Sequence, residues 1–158
     1  MTSIDLHPAK EARLWPIVLL RVYTGVFFLY YGFGKVRREN FAEGLSGFVN
    51  SNLDSAFGFF RPFLEAVVLP NAGVFAFLVA WGELLMGIAL IVGLATRYAA
   101  IGGALMVSAF WFTKGQGFLA AQNHDSIWLV ILIALAAVHA GRAFGLDERL
   151  AGRFRFLA

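Results

Sequence analysis

The chain predicts an all-α fold: an integral-membrane four-helix bundle whose long first loop contains short amphipathic helices. Three observations lead there. Hydrophobic residues fill 59% of the 158 positions and charged residues only 15%, whereas soluble domains carry about a quarter charged residues. Four apolar stretches follow one another, at 14–34, 72–94, 98–113 and 126–142. The cations gather at the ends of those stretches, as they do at membrane flanks. The whole chain, 1–158, reads as one domain.

Residues 1–13 form a polar leader that Pro8 keeps from being one regular element. It runs straight into the first apolar stretch without a small-residue cleavage site, so that stretch is expected to remain as a helix. In the first span, 14–34, Pro16 falls in the opening turn, where backbone donors are unpaired anyway. Between the first two spans, Phe41, Leu45, Phe48 and Leu53 recur at helical spacing, as do Phe60, Phe63, Leu64 and Val67. One or two short helices lying on the membrane surface follow from that pattern.

The second span, 72–94, is long enough at 1.5 Å per residue to cross about 30 Å of hydrocarbon. It holds a single ionisable residue, Glu83, near its middle. The third and fourth spans are short, with Arg97, Lys114 and Arg142 expected to snorkel at their ends. The tail offers Phe144, Leu146, Leu150, Phe154 and Phe156 to a lipid surface. Four spans put both termini on one side, with Lys10, Arg13, Arg97, Arg142, Arg149, Arg153 and Arg155. The other side has Lys35, Arg37, Arg38, Arg61 and Lys114, so the cation bias favours cytoplasmic termini in a cell inner membrane.

The net charge of +3 comes from these flanks rather than from a patch, which argues against a nucleic-acid partner. The absence of cysteine excludes disulfides, thiol chemistry and cysteine metal ligation. His7, His124 and His139 are too widely separated to suggest a metal or haem cluster, and no dinucleotide or phosphate loop occurs. Membrane lipid, other protein subunits and self-association are the expected partners.

Two stripes carry the chemistry. Arg21, Gly25, Phe28, Gly32 and Lys35 share one face of the first helix, and Ala76, Ala80, Glu83 and Gly87 one face of the second. Small residues let membrane helices approach closely, and a lone carboxylate in hydrocarbon needs a partner or a proton. Counted from the span edges, Arg21 lies roughly 10 Å deep and Glu83 roughly 16 Å deep, an offset an extended arginine can cover. An Arg21–Glu83 pair inside the bundle is therefore expected. It serves either as a ligand or proton site or as a pin that fixes helix register.

The weaker candidates are Asn123, His124 and His139. Asn123 and His124 are expected to face solvent or a partner, with Asp125 or Ser126 capping the last helix. His139 sits near the end of that helix, where it can lend a proton to a head group or simply pack. Trp15, Tyr98 and Phe144 suit one aromatic belt and Tyr30, Tyr31, Trp111 and Trp128 the other. A flat pocket for a quinone would use the same rings.

The segments LRVYTGVFFLYYGFGKV, GELLMGIALIVGLATRYAA and AGRAFGLDERL, in that order, resemble the DoxX-like family and its relative, the small DoxD subunit of thiosulfate:quinone oxidoreductase. The resemblance implies a four-helix membrane protein in a redox context. It points to Arg21, Gly25, Lys35, Glu83, Gly87, Gly93, Thr96, Arg97, Gly141, Arg142 and Asp147 as the residues that match the family's pattern. Three readings are open at this level. The first is a membrane subunit of a redox or respiratory complex that docks a partner and lines a quinone site with Arg21, Lys35 and Glu83. The second is a non-catalytic assembly protein, and the third a small transporter.

Overall fold

A computed structural model describes residues 15–138, 140–142 and 144–147, and these are all-helical, without a strand. The leader, His139 and the tail beyond 147 lie outside the described residues, and with them the expectations placed there. Six α-helices follow in order: α1 (Trp15–Val36), α2 (Phe41–Asn52), α3 (Arg61–Phe63), α4 (Ala72–Val92), α5 (Thr96–Lys114) and α6 (His124–Ala137). A 3-10 turn at Ala140–Arg142 follows α6.

The first loop holds one separate helix, α2, which buries Leu45 and Val49. The second expected helix is not separate. From α3 the chain passes through a π turn at Leu64–Val68 and a 3-10 turn at Leu69–Asn71 into α4, one helical stretch from Arg61 to Val92. Val49 of α2 meets Leu64 and Val68 of the π turn in a small core of its own.

Helix ends depart from the expected boundaries for local reasons. α1 continues through Lys35 to Val36, which keeps Lys35 within the helix's last turn. α4 stops at Gly93, whose φ of 73° is left-handed and suits a residue without a Cβ. α5 begins at Thr96 rather than at 98 because its first amides are already bonded: Ala95 N donates to Asp147 Oδ1 at 2.6 Å and Thr96 N to Asp147 Oδ2 at 3.0 Å. α6 begins at His124, one residue after Asn123, whose side chain accepts from Ser126 N.

α1 packs along α4 and α5 along α6, with the α4–α5 hairpin joining the two pairs. The main core, built from Phe28, Met86, Leu90, Val107, Leu132 and Leu135, fills the space between them. Outer faces are apolar instead of polar: Phe77 is 60% exposed, Leu105 69% and Ile133 54%. Across the remaining gap α1 and α6 meet through rings, with Trp128 4.0 Å from Phe27 and 6.3 Å from Tyr23, centroid to centroid. Trp128, half-buried, thus takes part in the seam between the two helices. Two helical stretches, Trp15–Val36 and Arg61–Val92, are long and apolar enough to cross a membrane, and α6 is apolar but shorter.

Candidate functional site

The register of α1 against α4 decides which charges meet. A Cβ added at Gly32 would lie 2.5 Å from Leu84 N, and one at Gly25 would lie 2.9 Å from both Gly87 O and Ile91 N. Gly87 in turn lies against the backbone of Leu29. The two backbones touch because these positions lack side chains. Ala76 and Ala80 continue the buried face of α4.

Carried one turn further in each direction, this register sets Lys35 opposite Glu83 and Arg21 opposite Gly93. The ion pair that forms is Lys35 Nζ with Glu83 Oε1; the expected Arg21–Glu83 pair does not. Depth counted from span edges does not fix the register of two helices, which their glycine contacts set. Arg21 and Glu83 sit on facing stripes but at levels about twelve residues, or roughly 18 Å, apart, beyond any arginine's reach.

Arg21 instead organises the opposite end of the bundle. It is buried, and its Nη1 donates to Ala140 O at 2.7 Å. Asp147 supplies the electrostatic attraction, while its carboxylate caps α5 and its amide donates to Gly93 O at 2.8 Å. Side chains at Gly93 or Gly145 would collide with the guanidinium, at 2.9 and 2.8 Å from Nη1. Arg21 and Asp147 therefore tie α1, the α4–α5 turn and the segment after α6 into one knot. Asp147 was legible only through the family pattern, since an acid in a polar tail carries no sign of burial.

The Lys35–Glu83 pair opens onto a cavity of about 580 Å³. Phe27, Phe28, Phe48, Phe110, Tyr31 and Trp128 supply its aromatic walls. Glu83 is 6% exposed and Lys35 23%. The second carboxylate oxygen, Glu83 Oε2, is buried with no hydrogen-bond partner among the described residues. Such an atom is costly to leave alone and is a natural acceptor for a ligand, or carrier of a proton. Lys35 also lies 5.6 Å from the centre of the Phe110 ring, close enough for a cation–π contact.

A second ion pair lines the same cavity. Lys114 Nζ bonds Asp125 Oδ2 at 2.8 Å, and His124 lies beside them. Lys114 does not snorkel and Asp125 does not cap: the turn at Gly115, with φ of 61°, brings α6 back so that the two side chains meet. Capping falls to Asn123, which is buried and donates to Gly117 O at 3.0 Å while accepting from Ser126 N. Asn123 therefore holds the loop rather than facing a partner. His124 is exposed.

An apolar outer surface around part-buried ion pairs and glycine-mediated helix contacts is the construction of a membrane protein. The family model DoxX matches residues 17–116, more than half of the chain, and the chain belongs to the DoxX family. The match takes in Arg21, Lys35 and Glu83 and stops before α6. No curated protein and no solved structure matches the chain.

Proposed function

We propose that the protein is an integral-membrane subunit of a redox complex that crosses the bilayer four times and binds a quinone-class ligand in the aromatic cavity. The outer faces of α5 and α6, with Leu105, Ile127 and Ile133 exposed, support spans for these shorter helices as well. The excess of Lys and Arg on the side of the termini supports a cytoplasmic placement for them.

One observation carries the ligand reading: a buried carboxylate oxygen without a protein partner, beside a cationic amine, in a cavity walled by rings. A flat ring with carbonyl oxygens fits that combination. The rings would stack on it, Lys35 would donate to a carbonyl, and protonated Glu83 would donate through Oε2. Phe27 and Trp128, whose rings meet between α1 and α6, form part of the cavity wall that would hold the ligand. A quinone, when bound, supplies reversible two-electron, two-proton chemistry, and the electrons belong to a partner subunit.

The reading is tested by titrating purified protein in nanodiscs with a short-chain quinone. Saturable binding is expected, at least tenfold weaker in Glu83→Gln and in Phe110→Ala. Absence of saturable binding in the wild type would overturn it and leave the Lys35–Glu83 pair as a register pin in an assembly protein.

A further inference from the structure

The cavity joins two groups that no function has yet claimed together. At one wall is Glu83, 6% exposed, with Oε2 buried and unpartnered among the described residues. At the other is His124, an exposed residue at the start of α6 that lines the same space. An imidazole can both take up and give up a proton through its two ring nitrogens, and His124 lines the cavity together with Phe48 of α2. A space of about 580 Å³ is large enough for a chain of waters, each occupying about 30 Å³.

We infer that His124 is a proton gate, through which Glu83 exchanges its proton with the aqueous phase on the α2 side of the membrane. His124 takes a proton from solvent and passes it along the cavity to Glu83 Oε2. Glu83 becomes neutral, His124 returns to its uncharged form, and Lys35 keeps its charge. The reverse steps release the proton to the same side.

The groups that face this route can be named element by element. α1 contributes Lys35 and Tyr31, α5 Lys114, and α6 His124 and Asp125, while α2 contributes the apolar Phe48. Lys114 is held by Asp125 at 2.8 Å, while His124 stands exposed at that wall. Among the described residues the opposite end of the bundle holds the Arg21–Asp147 knot. The inference needs no bound ligand and goes beyond the quinone reading.

The test uses protein in nanodiscs without added quinone. Infrared difference spectra after a pH jump follow the carboxylic acid band, assigned to Glu83 by its loss in Glu83→Gln. In the wild type the band is expected to follow the jump, and His124→Gln should slow it at least tenfold. Imidazole added to the buffer should restore the rate, which a purely structural role for His124 would not allow. An unchanged rate in His124→Gln, or a slowed rate that imidazole fails to restore, would overturn the inference. In proteoliposomes of known orientation, a band that answers only to the pH of the Arg21 side would also overturn it. A failed quinone titration would leave all of these outcomes readable.

Discussion

Lys35, in the last turn of α1, forms an ion pair with Glu83, midway along α4. The contact depends on backbone geometry more than on side-chain reach, because Gly32 and Gly87 let the helices meet within that one register.

Removing one partner should hurt more than removing both. Lys35→Met leaves a buried carboxylate alone and is expected to cost about 3–5 kcal/mol. The double variant Lys35→Met with Glu83→Leu should recover most of that loss, because two apolar groups need no compensation in hydrocarbon. Thermal unfolding in a mild detergent, with denaturant titration where it is reversible, measures both.

The close crossing gives a second contrast. Gly32→Ala and Gly87→Ala put a Cβ into the partner backbone, and overpacking of that kind costs about 1–3 kcal/mol. Gly34 and Gly44 have nothing within 4 Å of the added atom. Alanine there should be neutral or stabilise by up to about 1 kcal/mol. Equal effects at all four positions would contradict the α1–α4 contact.

The knot around Arg21 predicts an asymmetry at two left-handed residues, Gly93 at φ 73° and Ala95 at φ 50°. Gly93→Ala both strains the backbone and collides with Gly145 and Arg21, so a loss of at least about 2 kcal/mol is expected. Ala95→Gly removes a Cβ from a strained position and should lie within about 1 kcal/mol of wild type. Asp147→Ala deprives both Ala95 N and Thr96 N of their acceptor, and a loss of about 2–3 kcal/mol is expected from the two bonds, one buried and one part-buried. Unfolding midpoints of the three variants are the readout.

Asn123 should behave as a cap. Asn123→Ala loses the bonds to Ser126 N and Gly117 O and is expected to cost about 1–2 kcal/mol. His124→Gln, exposed and one residue later, should leave stability unchanged.

Much of the architecture was legible because glycine, arginine, lysine and glutamate stand out at three- and four-residue spacing against an apolar background. That pattern marked the facing stripes of α1 and α4 and every residue of the Lys35–Glu83 contact. It did not give the vertical register. Hydropathy blurs helix ends, and an error of a few residues at each edge was enough to match Glu83 with Arg21. The second ion pair and the Asp147 cap were hidden for another reason: both depend on how a turn folds back, at Gly115 and at Gly93, and residues in polar segments look alike until that turn is known. Lys114 and Asp125 accordingly read as a snorkelling cation and a helix cap.

The wide turn at Leu64–Val68 has a consequence for how length variation would be tolerated. A π turn holds one more residue than an α turn, so deleting a residue there would restore regular winding and leave everything upstream close to its present phase. The same deletion within α4 would rotate everything upstream by about 100° and swing Phe48 away from the chamber it lines. A single-codon deletion should therefore be absorbed in this short stretch and not in the regular helix that follows it.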